Sequence, residues 1–269
     1  MEILSAKNIT YCYAGGEPAL SRVSLSFQKG EKWAVIGANG SGKSTLLQIL
    51  NGLLPPRGGT VHFKGKEMSE KFLKDASALA DFRSSVGYVF QDPGIQLFCP
   101  TVREELLYGP RQMRLPQAEI HTRVEEIMRL VNIAHLADRP PYLLSGGEKK
   151  RVAVGSVLTM NPEVLLIDEP MNGLDPRNQC FMAELLMALH QTGKTLIMAT
   201  HDLSLVEEMD CRTAVLSESH ELVKTGEAQT ILKDTRLLVR VNLVHEHLHF
   251  HGPKIHKHIH AHPQGHRHP

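Results

Sequence analysis

Nine consecutive residues, Gly37-Ala38-Asn39-Gly40-Ser41-Gly42-Lys43-Ser44-Thr45, have the types and spacing to hold a polyphosphate. Glycines carry no Cβ to forbid the backbone angles that turn successive N–H groups inward around an anion. Lys43 adds a full charge that can reach the β- and γ-phosphates, and the Ser44 hydroxyl can ligate Mg²⁺. The apolar run Trp33-Ala34-Val35-Ile36 before the loop reads as a short buried strand, and Leu46 to Leu50 after it as the first turns of a helix. That helix would turn its unpaired N–H groups and the positive end of its dipole toward the same anion. Strand, Gly-rich loop, Lys-Ser and helix together make a phosphate-binding loop.

Further along, Val164-Leu165-Leu166-Ile167 is an apolar run ending in Asp168-Glu169. It reads as a buried parallel strand whose carboxylates emerge at the same sheet edge as the phosphate loop. Asp168 can hold Mg²⁺ through its water shell, and Glu169 can orient or deprotonate an attacking water. Val86 to Gln91 reads as a strand with Gln91 at its end, and the run from Thr195 as another ending in His201, both at carboxyl ends, where open parallel sheets gather functional groups. Leu144-Ser145-Gly146-Gly147-Glu148 reads as a second helix start suited to phosphate, with Ser145 as N-cap of a helix beginning near Glu148. Tyr11 and Tyr13 close the first strand pattern, where an aromatic either packs on the sheet or stacks on a purine.

These residues need a scaffold. Alternation in residues 1–28 and in Gly58 to Lys66 predicts an antiparallel β layer, and Thr213–Leu216 with Glu221–Gly226 a closing hairpin. Residues 100–140 have helical patterns punctuated by prolines 100, 110, 116, 140 and 141, which predicts a separate helical subdomain. With 42% hydrophobic and 22% charged residues the composition is that of a globular domain. A net charge of +1 gives no argument for nucleic-acid binding. The four scattered cysteines fit reduced thiols better than a disulfide framework or zinc site. No apolar stretch approaches the ~20 residues that span a bilayer, and no secretory leader pattern is visible, so the expected membrane role is peripheral.

The ordered set (residues 37–45, Gln91, Ser145 to Glu148, Val164 to Glu169, Gly173-Leu174-Asp175 and His201) resembles the nucleotide-binding subunit of an ABC transporter over residues 1–240. The resemblance implies an α/β fold with a P-loop NTPase (RecA-like) core, an antiparallel β subdomain and an α-helical signature subdomain at about 94–158. It implies ATP and Mg²⁺ as cofactors. It also implies roles: Tyr13 stacks on adenine, which decides between the two tyrosines; Gly37, Asn39, Gly40, Ser41, Gly42, Lys43, Ser44 and Thr45 bind nucleotide; Ser44, Gln91 and Asp168 serve Mg²⁺. Gln91 also senses the membrane partner, Glu169 is the catalytic base and His201 the switch. Ser145, Gly146, Gly147, Glu148 and Asp175 serve a head-to-tail dimer with a second ATPase subunit. Glu148, where Gln is common, and Met171-Asn172, where Thr or Ser is commoner, depart from the pattern. Asp92-Pro93-Gly94-Ile95-Gln96-Leu97-Phe98 with Pro100-Thr101-Val102 is similar to energy-coupling-factor importers. Those take up vitamins or transition-metal ions with a transmembrane coupling protein and a membrane capture protein. The implied location is the cytoplasmic face of the membrane.

Ten of the 16 histidines fall in residues 245–269. His245, His247, His249 and His251 alternate, as do His256, His258, His260 and His262. Residues 241–269 hold too few apolar side chains to fold alone and are expected to form a flexible tail. In one extended strand alternate residues lie about 6.6 Å apart, too far for one ion, but a curling chain can gather several imidazoles. Imidazole suits Ni²⁺ and Co²⁺ among others, and binding needs its neutral form. A purification tag or a solvated low-complexity end is the alternative. The combined expectation is an ATPase subunit driving nickel or cobalt import, against vitamin import or a soluble, non-transport ABC ATPase.

Overall fold

The structure, a computed structural model, describes residues 1–16, 18–251 and 254–261, and for 245–251 and 254–261 their backbone. The chain opens with β1 (Glu2–Cys12) and β2 (Pro18–Gln28), paired antiparallel. β3 (Lys32–Ile36) and α1 (Lys43–Leu50) follow. β4 (Gly58–Phe63) returns to β1, and β5 (Lys66–Glu67) completes a four-stranded sheet of order β2-β1-β4-β5. This is the expected antiparallel layer. Helices α2 (Glu70–Lys74) and α3 (Ala76–Ser85) lead to β6 (Val86–Val89). Then α4 (Val102–Gln112), α5 (Gln117–Leu130) and α6 (Gly146–Leu158) pack together as a helical region.

The remaining core alternates strand and helix: β7 (Val164–Asp168), α7 (Pro176–Gln191), β8 (Thr195–Thr200), α8 (Leu203–Met209), β9 (Arg212–Leu216). β10 (Leu222–Glu227), α9 (Ala228–Leu232) and α10 (Thr235–Arg240) follow. The second sheet runs β10-β9-β3-β8-β7-β6, with β10 antiparallel to β9 and the other pairs parallel.

The central strands are continuous apolar runs because both their faces are buried. Alternate residues go to different cores. Trp33, Val35, Leu166, Ile197 and Ala199 join α1 and the antiparallel sheet in one. Ala34, Ile36, Leu165, Ile167, Leu196 and Met198 join the helical region, α7 and α8 in the other. The central sheet is thus clamped from two sides, which fixes where its strand ends project.

Three expectations change in detail. β6 stops at Val89, so Gln91 lies in the loop beyond it. Pro110 lies inside α4, not between elements; it sits in the last turn, where its missing N–H removes one bond from a helix that ends two residues later. β8 stops at Thr200, so His201 too lies just beyond its strand. β11 (Val244–His251) and β12 (Lys254–Ala261) pair antiparallel as a ribbon. Histidine at every second position, with Val244, Leu248, Phe250, Ile255 and Ile259 between, is the two-residue period of a strand. His262, with the rest of 262–269, lies outside the described residues.

The seat of α6 depends on one small residue. A Cβ on Gly87, in β6, would collide with the Val157 side chain of α6 and crowd Pro162 at 3.1 Å. Gly87→Ala should therefore destabilise the fold by about 1–3 kcal/mol through overpacking, read as a lowered midpoint in thermal or urea unfolding; an unchanged midpoint would show that α6 yields freely.

Candidate active site

The phosphate loop joins β3 to α1. Gly42, the N-cap of α1, has φ +102°, and a side chain there would run into the Ala19 carbonyl, so only glycine fits. α7 and α8 are capped by the side chains of Asp175 and Asp202, whereas α1 has no side-chain cap. Its first N–H groups are left for something else to satisfy. Inside the loop the Ser41 hydroxyl is buried without a hydrogen-bond partner. Lys43 Nζ donates to the carbonyls of Gly37 (2.8 Å) and Ala38 (3.0 Å). Burial pulls its ammonium below the ordinary lysine range, against the pull of Glu169 and Asp168.

The acidic end of β7 meets this loop. Asp168 Oδ1 accepts from Ser44 Oγ at 2.9 Å, and Oδ2 accepts from the Tyr88 hydroxyl at 3.3 Å. Burial raises the Asp168 carboxyl above the usual range, and burial beside Asp168 raises the Tyr88 phenol. Glu169 adopts a left-handed backbone, φ +45°, an uncommon setting for a non-glycine residue. One of its carboxylate oxygens lies 2.9 Å from His201 Nδ1 and 3.9 Å from Lys43 Nζ, and the other accepts from Thr200 Oγ1 at 3.3 Å. The hydrogen bond to Glu169 raises His201 above the usual imidazole range.

A cleft of about 990 Å³ collects most of the expected residues: Tyr13, Asn39, Gly40, Gly42, Lys43, Ser44, Thr45, Gln91, Glu169 and His201. Tyr13 is half exposed, its ring edge-on to buried Tyr11 and its hydroxyl 3.0 Å from Thr45 Oγ1, so Tyr11 packs in the sheet while Tyr13 faces the cleft. Asp168 lines an adjoining cleft with Ser44 and Gln91. The orphan Ser41 hydroxyl, the open end of α1 and the oxygens of Ser44, Gln91 and Asp168 fit a polyphosphate carrying Mg²⁺.

The signature residues stand apart. Ser145, Gly147, Glu148 and Asp175 do not line either cleft, and Gly146 reaches only the second. Ser145 caps α6, which begins at Gly146, two residues earlier than expected. Glu148 completes a capping box: its carboxylate accepts from Ser145 N (2.8 Å) and Ser145 Oγ (2.7 Å). Glu148 thus fills the N3 role of the box, which Gln can fill as well. Asp175 accepts from Asn178 N and Nδ2, and a Cβ on Gly147 would meet Asn178 Nδ2 at 2.6 Å, so Asn178 joins the two segments. Met171, the other departure, is buried in the core.

The family described as ABC transporter matches residues 20–172. The chain belongs to that family. It is an ATPase coupled to transport, and its fold is that of the ABC ATPases. It is similar to the nickel import ATP-binding protein NikO of Rhodobacter capsulatus, 43% identical over 241 residues, 88% of this chain and 94% of that one. It is similar to the energy-coupling factor transporter ATP-binding protein EcfA of Methanothermobacter thermautotrophicus, 39% identical over 90% of this chain and 76% of that one. Among solved structures it resembles cbiO1 from Clostridium perfringens, described as part of the ABC transporter complex cbiONQ: TM-score 0.75, 36% identity, 90% of this chain and 95% of that one.

Sequence reasoning about this ABC ATPase missed Lys150. Its side chain is fully buried, and Nζ lies within hydrogen-bond distance of four main-chain oxygens: Phe90 (3.2 Å), Gln91 (3.1 Å), Asp168 (3.4 Å) and Glu169 (3.2 Å). Burial pushes its ammonium down to about 8, with Asp168 and Glu169 opposing. One cation from the signature helix thereby holds the Gln91 loop against the acidic end of β7. Lys150 is the middle of three consecutive basic residues, Lys149-Lys150-Arg151, and only the turn of α6 shows that it points inward. Gln96 was also missed. It accepts from Phe90 N (3.1 Å) and donates to the Ala153 carbonyl (2.8 Å), pinning the same loop to α6.

Lys150→Met removes the donors and leaves buried carbonyls short of a partner, a loss of about 1–3 kcal/mol. The expected outcome is a kcat for ATP hydrolysis lowered about tenfold or more with KM little changed, since the phosphate loop is untouched, and partial recovery in Lys150→Gln. An unaltered kcat in Lys150→Met would remove the residue from the site.

Proposed function

We propose that this ABC ATPase powers import of a transition-metal ion, nickel or cobalt, as the nucleotide-binding subunit of an energy-coupling-factor importer. The observation that carries the reading is a chain end with ten histidines on an ATPase 43% identical to a protein named for nickel import. On the same reading the histidine-rich segment takes up Ni²⁺ or Co²⁺, for which neutral imidazole is a suitable ligand.

In the proposed cycle two copies of the chain close head to tail on two ATP molecules. The exposure of Ser145 and Gly146, outside their own nucleotide cleft, supports a second copy as the surface they serve. Tyr13 stacks on the adenine, and the loop amides, Lys43 and the start of α1 hold the phosphates. Mg²⁺, held by Ser44, Gln91 and Asp168, supplies charge that offsets that of the phosphates. Glu169, aimed by His201 and Thr200, takes a proton from the attacking water. Lys43 and the amide groups of the opposing signature segment stabilise the charge that spreads in the transition state.

No helix among the described residues is long and apolar enough to cross a membrane. On this reading work is delivered to separate membrane subunits, a coupling protein and a capture protein, by a chain lying on the cytoplasmic face. The supporting surface is the loop after Gln91. Ile95 and Phe98 are 70% and 66% exposed, although the loop is pinned by Gln96 and by Glu105, which accepts from the N–H groups of Phe98 and Cys99. Apolar residues held rigidly in water mark a docking site.

Glu169→Gln should still bind ATP while turnover falls about 10²–10⁴-fold, the span of general-base contributions; ATP retention and phosphate release measured together check it, and ordinary turnover would refute the assigned base. Cells expressing the chain with its membrane subunits should accumulate labelled Ni²⁺ or Co²⁺ in an ATP-dependent way. Uptake of a vitamin instead would change the cargo, and recovery of the chain without any membrane subunit would favour a soluble ATPase.

A further inference from the structure

The register of the β11–β12 ribbon sorts its residues by chemistry. His245 stands opposite His260, His247 opposite His258 and His249 opposite His256. Residues two apart share a strand face, so these six positions lie on one face of the ribbon. The other face carries Val244 opposite Ala261, Glu246 opposite Ile259, Leu248 opposite Lys257 and Phe250 opposite Ile255. It is mainly apolar. A one-residue slip in pairing would mix the two sets.

This register changes the metal geometry. Along one strand the histidine positions are about 6.6 Å apart, wider than the spacing between opposed positions. Directly across an antiparallel pair, Cβ atoms are about 4.5–5.5 Å apart. A metal–imidazole bond is about 2.0–2.1 Å long. Opposed positions are therefore spaced to share one ion without any curling of the chain.

We propose that the ribbon is a transition-metal site of three ranked cross-strand pairs, His245/His260, His247/His258 and His249/His256, each taking one divalent ion of the Ni²⁺ or Co²⁺ type, with water completing its shell. The proposal rests on the reading of the histidine-rich segment as a metal binder and adds to it a count and a pairing. Each ion joins the two strands, so metal uptake and ribbon pairing reinforce one another. β11 begins one residue after Leu243, which with Asn242 lines the nucleotide cleft, so the ions are carried at the root of the ATPase body.

Two variants with the same number of histidines separate paired sites from a diffuse polyhistidine segment. His247→Ala with His258→Ala removes both members of one pair. His247→Ala with His256→Ala breaks two pairs. Ni²⁺ is titrated into the full chain at neutral pH, and bound ions per chain are counted by calorimetry or equilibrium dialysis. The first variant should lose one ion relative to the unaltered protein and the second two. His251, His262, His266 and His268 are present in both, so their contribution cancels. Equal losses in the two variants would overturn the pairing and leave a metal-binding segment without fixed sites. Ni²⁺ uptake by the unaltered chain no greater than by a chain ending at Val244 would overturn the metal reading itself.

Discussion

Four ionisable groups share one nearly dry region beyond the carboxyl end of β7. Lys43, Lys150, Asp168 and Glu169 are each no more than 5% exposed. Withdrawing an ion from water costs several kcal/mol, so such a cluster persists only if every member has good partners. Each has: Ser44 and Tyr88 for Asp168, His201 and Thr200 for Glu169, loop carbonyls for Lys43 and Lys150. These partners come from the phosphate loop and the start of α1, from β6 and the loop after it, and from the end of β8, so the strand ends must be level. Parallel pairing makes them so: Ile36 is in register with Thr200, and Asp168 with Ala199. The two-sided apolar clamp on the sheet exists, in effect, to keep these charges aligned.

The same arrangement joins the acidic strand end to the surface proposed as the docking face. The loop bearing Gln91, Ile95 and Phe98 is tied inward by Lys150 and Gln96, both from or against α6. The far end of α6 packs on β6 at Gly87. A shift of the helical region therefore moves the loop and the peptide carbonyls of Asp168 and Glu169 together, through hydrogen bonds rather than through loose contact.

Much of this was legible in residue order. The phosphate loop declared itself because strand, glycines, Lys43 and helix are contiguous, so local spacing sets the geometry. Asp168 and Glu169 were legible because an apolar run that ends in two carboxylates has few other uses. Tyr13 was not separable from Tyr11 by spacing, since both fit the strand; what distinguishes them is that β1 ends at Cys12. Lys150 and Tyr88 were invisible because their partners lie 18 to 60 and 80 residues away in sequence and, for Lys150, are main-chain atoms of no particular type. The alternation of histidines in 245–251 and 256–262 was legible in the sequence, but which residues of the two runs stand opposite each other was not, since register depends on pairing between strands.

The way Lys150 is held has a bearing on the medium in which the enzyme works. Mobile ions weaken attraction between groups that water can reach, such as the exposed Lys74–Glu70 pair, and hardly touch contacts sealed from solvent. Lys150 is anchored to peptide oxygens, which carry no net charge, and lies under the protein surface. The join between signature helix and acidic strand end is thus indifferent to salinity: a concentrated, potassium-rich interior would erode the surface pairs and leave this one intact.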